Sequence, residues 1–431
     1  MKSHAERGRL PGAALALLAA VFVDALGSGL YMSVSVVFLT RYLGLGDGQV
    51  GVGLSVAGAL SFALLVPTGI LADRAGARRT LMAAHLVRAA LLTVYPLASG
   101  FVPFLCVVSL LAVADRAASP LLQGLFGTAV EGPQRVRAMG RARSLQNLGL
   151  ALGGLVAGAV LVADSDAVYL GVVYANAVSF VVAAVLVARL RTGADGERSG
   201  VRPLPWRERL GVFRDRRFAA LTALNSLVSL HVTVLTAGVP LWVLAHPSAL
   251  PRAVIAWAVV LNTVVVVLFQ VRATRATETA ADGGRALGLS GMLLAVGCGA
   301  LATTGALPMP YAVAVLLVAV AFQAFAEMHQ QAGAWAISYE LAPEDRRQVY
   351  LAFFSLGNAA RNTYGPLVVT FLVVRQGALG WLLLGALVLG AGAWAARVGR
   401  PTAATGITTG TTPAPAAPLT DVQGETHGQR A

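Results

Sequence analysis

The sequence predicts an all-α integral membrane protein with twelve transmembrane helices in two bundles of six. Three observations support this class: 57% of the 431 residues are hydrophobic, only 12% are charged, and the apolar residues form long runs. Soluble domains carry about twice this charged fraction. The chain has too few charged residues to cover a water-exposed surface, so lipid is expected to surround most of it.

The apolar runs are each predicted to form one membrane-spanning helix. A helix needs about 20 apolar residues to cross about 30 Å of hydrocarbon. Barrel strands are excluded because the runs are too long and lack strict alternation, and unpaired backbone groups are costly in lipid. The first run lacks an obvious cleavage site and is predicted to be retained. The twelve spans are predicted at 13–40, 49–72, 80–99, 102–124, 142–163, 167–189, 218–244, 252–271, 286–304, 310–339, 349–374 and 378–397.

The net charge of +13 is distributed in a way that predicts topology. Of the 33 Lys and Arg residues, 27 lie in the N-terminus, the even-numbered connections and the C-terminus. This alternation follows the positive-inside rule and predicts that both termini are cytoplasmic. Basic residues in such loops set orientation and contact membrane lipids, so nucleic acid is not an expected partner.

The longest connection divides the spans six and six. The predicted organisation is a cytoplasmic N-terminus (1–12), a first bundle (13–189), a central cytoplasmic loop (190–217), a second bundle (218–397) and a disordered cytoplasmic tail (398–431). A weak internal repeat supports this division, because SLQNLGLALGG and SLGNAARNTYG share Ser, Asn and Gly at equal spacing. Such a repeat is typical of two parallel halves related by an axis along the membrane normal.

The connection between spans 2 and 3, PTGILADRAGARRTL, carries charged residues on a Gly-containing turn. Its pattern P-x-G-x-L-x-D-R-x-G-x-R-R resembles the loop signature of the major facilitator superfamily. The matching residues are Gly69, Asp73, Arg74, Gly76, Arg78 and Arg79. The resemblance implies transport by alternating access, with this loop holding the two halves together on the cytoplasmic side. The equivalent loop of the second half, which follows span 8, lacks this pattern. The contact that holds the halves together is therefore expected to come from the first-half loop only.

Two residues of this loop have clear physical roles. Gly69 lacks a side chain and lets another helix approach closely. Asp73 carries a negative charge suited to the positive N-terminus of a neighbouring helix, a contact that contributes about 0.3–1 kcal/mol.

Charged residues inside the spans of the first half are candidates for proton coupling. A charge at mid-span costs about 2.5–3.5 kcal/mol, so it usually faces a cavity or a partner. Asp24 lies in span 1, and Asp115 and Arg116 lie in span 4. Arg88 lies near the end of span 3, where it is expected to reach the headgroups. Resemblance to drug-antiporter members of the superfamily implies that Arg116 assists a membrane carboxylate in proton transfer.

Asp24 and Asp115 are the candidate carboxylates for that proton. Asp24 is preferred because its own helix contains no charged neighbour. The alternative is a static Asp–Arg pair that ties helices together.

Polar residues recur at helical spacing along spans 10 and 11 and predict the wall of a substrate cavity. These residues are Gln323, Glu327, Gln330, Asn358, Arg361 and Asn362. Glu327 and Arg361 form a plausible ion pair. His231, Asn225 and Asn262 are weaker candidates, since a lone polar residue in a span more often makes an interhelical hydrogen bond.

Span 5 contains GLALGGLVAG, which resembles the antiporter motif G-x-x-x-G-P-x-x-G-G. Gly149, Gly153 and Gly158 match, whereas Gly154 replaces the proline. These four glycines are predicted to allow close helix packing. Packing alone explains them as well as an antiporter function does.

No sequence motif indicates an enzyme, a metal site or a cofactor, and the absence of a P-loop argues against ATP-driven transport. The function that the resemblance to antiporter members implies is proton-coupled export of small amphipathic organic molecules, here by a monomeric transporter. Its Arg-rich, Lys-poor composition indicates a bacterial plasma membrane protein. Two alternatives are an uptake symporter for a polar metabolite and a transport-inactive sensor or scaffold.

Overall fold

A computed structural model describes residues 12–130, 134–161, 165–190, 210–275 and 277–400. Every regular element within these ranges is helical, which confirms the all-α class. The first half contains α1 (Gly12–Val37), α2 (Asp47–Ala63), α3 (Leu65–Ala75), α4 (Ala77–Val94), α5 (Phe101–Ala129), α6 (Gln134–Leu161) and α7 (Asp166–Ala188).

The second half has α8 (Arg216–Val228), α9 (His231–Thr233), α10 (Val239–Ala245), α11 (Ala253–Ala273), α12 (Ala280–Thr303), α13 (Met309–Glu340) and α14 (Arg347–Val398). The predicted N-terminus, most of the predicted central loop and nearly all of the predicted tail lie outside the described residues.

Within the described ranges, nine helical segments are long and apolar enough to cross a membrane. The pair α2 and α3, bent by 47°, makes a tenth candidate span. The remaining two predicted spans correspond to α6 and to the first part of α14, which are helical but more polar. Segments α8, α9 and α10 join into one candidate span, Arg216–Ala245, that contains a π-helical turn at Val234–Gly238.

Two glycines with positive φ separate helices that would otherwise continue. Gly76 has φ 90° and lies between α3 and α4. Gly377 has φ 58° and breaks α14 into two parts, which correspond to predicted spans 11 and 12. Residues with a side chain rarely adopt this backbone region, whereas glycine does so at little cost. Each turn is therefore a single residue that redirects the chain.

Apolar clusters show where the two halves contact each other. In the cluster around Val66 of α3, the other residues include Val349 and Phe354 of α14. Val136 of α6 packs with Ala332 and Ala336 of α13. Both clusters lie at the end of the bundle that contains Asp73, here called the Asp73 end. The clusters at the opposite end each contain residues of one half only.

Candidate functional site

Arg88 is buried in the first half and lies between two carboxylates. Its guanidinium donates to both carboxylate oxygens of Asp24, at 3.2 and 3.3 Å, and to Oδ1 of Asp115 at 2.6 Å. Charge-assisted contacts of this bidentate kind are the stronger hydrogen bonds in proteins. Arg88 is only 3% exposed, so the prediction that it reaches the headgroups is wrong.

Aromatic packing explains why Arg88 stays inside the bundle. The Cζ atom of Arg88 lies 3.7 Å from the ring centroid of Phe180 on α7, a cation–π distance. The ring of His85 stacks on the same Phe180 ring, and its Nδ1 lies 3.5 Å from Arg88 Nη1. His85 and Arg88 are three residues apart on α4, so both face α7. The three-residue spacing of His85 and Arg88 was the feature of the sequence that could have predicted this shared contact.

Asp24 and Asp115 share the Arg88 guanidinium but differ in exposure. The Asp24 side chain is 16% exposed and accepts a further hydrogen bond from Ser28 at 3.2 Å. The Asp115 side chain is 64% exposed. One carboxylate of the cluster is therefore enclosed, and the other is open to its surroundings.

Arg116 points away from this cluster. Its Nε donates to Ser61 Oγ of α2 at 3.1 Å, and within the described chain it forms no ion pair. Successive residues on a helix point about 100° apart, which separates Arg116 from the direction of Asp115. The guanidinium beside the two carboxylates belongs to Arg88, and not to Arg116 as the resemblance implied.

Glu327 forms an ion pair that joins the two halves. Its Oε1 lies 3.0 Å from Nη2 of Arg143 on α6. Gln331 donates to the same oxygen at 3.0 Å, and Asn262 of α11 donates to Oε2 at 3.4 Å. The expected pair with Arg361 is not formed, because the Arg361 guanidinium binds Oδ1 of Asn362 at 2.6 Å.

The predicted cavity residues do not share one surface. Gln330 is buried, donates to Asn225 Oδ1 at 2.7 Å and lies 3.2 Å from His231 Nε2. Gln323 is also buried and donates to the His231 carbonyl oxygen at 3.3 Å. These contacts hold α13 against α8 and α9.

On α14 the predicted cavity residues become more exposed along the helix. Asn358 and Arg361 are partly buried, and Asn362 is exposed. Of the six predicted residues, the three on α14 are therefore more accessible than the buried Gln323, Glu327 and Gln330.

Asp73 caps the start of α14 in the other half. Its Oδ1 accepts from the backbone N–H of Gln348 at 2.9 Å, and its Oδ2 accepts from that of Val349 at 3.2 Å. The first N–H groups of a helix have no partner within the helix, so a carboxylate there satisfies them and interacts with the helix dipole. A Cβ added at Gly69 would lie 2.8 Å from Ala352 Cβ. The missing side chain thus allows α3 to approach α14.

The other residues of the loop pattern have different surroundings. Arg78 donates from Nε to the Val187 carbonyl at 3.2 Å and from Nη2 to the Ala188 carbonyl, at the end of α7. Gly76 supplies the turn between α3 and α4. Arg74 and Arg79 are exposed. The pattern therefore contributes to the contact between the halves through Asp73 and to packing inside the first half through Arg78.

Further contacts between the halves surround Asp73. Gln123 of α5 donates to Ser338 Oγ of α13 at 2.6 Å. The guanidinium of Arg135 on α6 contacts the ring of Tyr339 on α13, with its Cζ atom 3.7 Å from the ring centroid. Arg347, from the same half as Tyr339, contacts that ring as well, at 4.4 Å. Sequence reasoning missed the two contacts between the halves because each joins residues of different helices far apart in the chain.

The Asp73→Asn substitution is expected to weaken the contact at this end. The variant retains one acceptor oxygen and loses the charge, a change of about 0.3–1 kcal/mol. Ser338→Cys in a background without Cys106 and Cys298 should then react with a thiol reagent roughly 2- to 5-fold faster. Asp345→Asn, which removes an acid near the same end, is the control. Equal rates in Asp73→Asn and the parent would contradict the assigned role.

The four glycines of α6 divide into two kinds. A Cβ added at Gly149 would lie 2.8 Å from the Phe22 carbonyl oxygen, and one at Gly153 would overlap the Leu26 carbonyl oxygen of α1. A Cβ at Gly154 would make an ordinary contact of 3.5 Å with Ser33 Oγ, and one at Gly158 would meet no atom within 4 Å. Close packing of α1 and α6 therefore depends on the first two.

Comparison with solved structures identifies the fold. A bacterial homologue of the iron transporter ferroportin, in an outward-facing state, matches with a TM-score of 0.68 and 16% identity. The match covers 90% of this chain and 98% of that one. The E. coli fucose:proton symporter matches with a TM-score of 0.67 and 14% identity over the same shares of both chains.

Sequence comparison identifies the family. No curated protein matches the chain. The sequence profile of the Major Facilitator Superfamily matches residues 17–248, which is more than half of the chain. The fold and this match agree with the loop pattern around Asp73, and the chain is therefore a member of the major facilitator superfamily.

Proposed function

We propose that this transporter couples proton entry to the export of small amphipathic organic molecules by alternating access. The observation that carries the proposal is the cluster in which Asp24 and Asp115 share the buried Arg88 guanidinium. A carboxylate inside a membrane protein marks a candidate proton pathway, because its charge is costly there.

The sharing of one guanidinium makes a proton exchange chemically reasonable. When Asp24 binds a proton, Arg88 retains Asp115 at 2.6 Å and is not left as an unpaired charge. The exposed Asp115 side chain gives protons a route to the enclosed Asp24. In this mechanism Asp24 carries the proton, Arg88 stabilises the ionised state, and Asp115 is the entry group. Arg116 takes no direct part in this proton transfer.

The distribution of contacts between the halves supports alternating access. These contacts concentrate at the Asp73 end, and the basic residues of the connections favour a cytoplasmic location for that end. The structure then corresponds to a state closed to the cytoplasm. The ferroportin homologue named above was also solved in an outward-facing state. Transport requires the contacts of Asp73 and its neighbours to break and form again.

The remaining elements of the proposal rest on the sequence. Export is favoured by the resemblance of span 5 to the antiporter motif, and its close packing against α1 at Gly149 and Gly153 is compatible with that resemblance. Charge placement favours cytoplasmic termini, and composition favours a bacterial plasma membrane. We propose a monomer that contacts membrane lipids directly.

Proton flux in inside-out vesicles tests the proposal. Vesicles with an acid interior are given cationic, neutral and anionic amphipathic compounds while a dye reports the internal pH. We expect one class of compound to release protons from vesicles with the parent protein. Asp24→Asn should lower this release to the level of vesicles that lack the protein. Asp166→Asn, which alters an exposed acid at the start of α7, should leave it unchanged.

The other outcomes identify the alternatives. Proton movement in the same direction as the compound would indicate an uptake symporter. If no compound moves protons, the export proposal fails, and a sensor or scaffold role is favoured.

A further inference from the structure

The ion pair between Arg143 and Glu327 lies deep between the two halves. Arg143 follows the first residue of α6 by nine positions, or about 13 Å along the helix. Glu327 precedes the last residue of α13 by thirteen positions, or about 20 Å. The pair therefore lies further into the bundle than the contacts of Asp73, and both must change when the Asp73 end opens.

Glu327 is enclosed and fully paired in this structure. It is 5% exposed, and it accepts hydrogen bonds from Arg143, Asn262 and Gln331. His231 of α9 and Arg361 of α14 are within electrostatic range of its carboxylate. Arg143 is the charged group in direct contact with it, and Arg143 belongs to the other half.

Separation of the halves at this depth removes Arg143 from Glu327. Asn262 and Gln331 remain with the carboxylate, but neither carries a compensating charge. A carboxylate that loses its counter-ion is less stable in its ionised form, because the positive charge no longer favours that form. A proton on Glu327 removes this penalty. Arg143 retains its hydrogen bond to Gln146 at 3.1 Å after separation.

We propose that Glu327 is a second proton-binding group and that its protonation permits the Asp73 end to open. The proton forms an O–H bond on the carboxylate, and the hydrogen bond from Arg143 Nη2 breaks. The inference deepens the proposed function and rests on its proton coupling. It assigns a task that the Asp24 cluster does not perform, because that cluster lies within one half and keeps its partners when the halves separate.

The opening can be measured without any substrate. Spin labels on Arg189→Cys of the first half and Arg285→Cys of the second, in full-length protein without Cys106 and Cys298, report the width of the Asp73 end. Both positions are exposed. The open state binds the additional proton, so its population should rise as the pH falls from about 9 to about 5. A population independent of pH in the parent would overturn the proposal.

Variants of the pair decide whether Glu327 is the responsible group. Glu327→Gln should be open at every pH, whereas Glu327→Asp should keep the response. Arg143→Gln should move the midpoint to higher pH because the closed state loses its stabilising charge, and Arg143→Lys should lie near the parent. Asp166→Asn, at the exposed start of α7, should keep the parent midpoint.

Two outcomes contradict the proposal: Glu327→Gln responding to pH as the parent does, or Arg143→Gln leaving the midpoint unchanged. If Glu327→Gln does not yield folded protein, the pH midpoint of opening in Arg143→Gln tests the proposal by itself. A failure of proton release in the vesicle experiment would count against the proposed function and would leave the opening measurement unaffected.

Discussion

Arg88→Met is expected to destabilise the protein strongly. It leaves the enclosed Asp24 carboxylate without its guanidinium. Removal of one member of a buried ion pair costs about 3–5 kcal/mol. Asp115 adds less, since its side chain is less enclosed than that of Asp24. The measurement is the free energy of unfolding of purified protein in detergent, from a denaturant titration.

Two further variants separate the loss of pairing from the loss of a large side chain. The double variant Arg88→Met with Asp24→Asn should recover a substantial part of the loss, because no unpaired charge remains at Asp24. Arg116→Met removes a guanidinium whose direct contact is a neutral hydroxyl and should cost about 1 kcal/mol. If Arg88→Met were no more destabilising than Arg116→Met, the cluster would not have the importance given to it here.

Gly153→Ala is expected to disturb the contact between α1 and α6. The added methyl group would overlap the Leu26 carbonyl oxygen, which is backbone and cannot rotate away. The helices must move apart, and overpacking of this kind costs about 1–3 kcal/mol. The free energy of unfolding is again measured by a denaturant titration. The melting temperature of Gly153→Ala should also be lower than that of the parent protein.

Gly158→Ala is the matched control on the same helix. No atom lies within 4 Å of a Cβ at Gly158, so the substitution adds no clash. Alanine is a better helix former than glycine by about 1 kcal/mol, so this variant should be neutral or more stable. Equal losses for Gly153→Ala and Gly158→Ala would show that α1 and α6 are not in close contact.

Local features of the sequence predicted the class of fold and the surroundings of Asp73. Hydropathy and charge placement depend on the membrane and can be evaluated along the chain. The need of a helix N-terminus for an anion is equally general, and it predicts the kind of partner that Asp73 contacts.

The charged residues inside the bundle were less predictable because their partners lie on other helices. Arg88 is near the end of a span, where a long side chain usually extends to the headgroups, but Phe180 and two carboxylates hold it inside. Arg143 was placed at the edge of span 5, whereas α6 begins at Gln134 and carries Arg143 well inside the helix. Hydropathy detects where the apolar residues begin, and it does not detect polar residues that extend the helix beyond them. Glu327 was therefore paired with the wrong arginine.

The turn at Gly377 has a consequence for the cooperativity of opening. A single residue joins the two parts of α14. The second part also packs tightly on α12, where a Cβ added at Gly291 would lie 2.5 Å from the Val388 carbonyl oxygen. These segments therefore move as one rigid body, and Asp73 is attached to its first turn. Because these segments move together, the hydrogen bonds of Asp73 and the other contacts between the halves must break in one step, so the transition should be all-or-none, without stable partly open states.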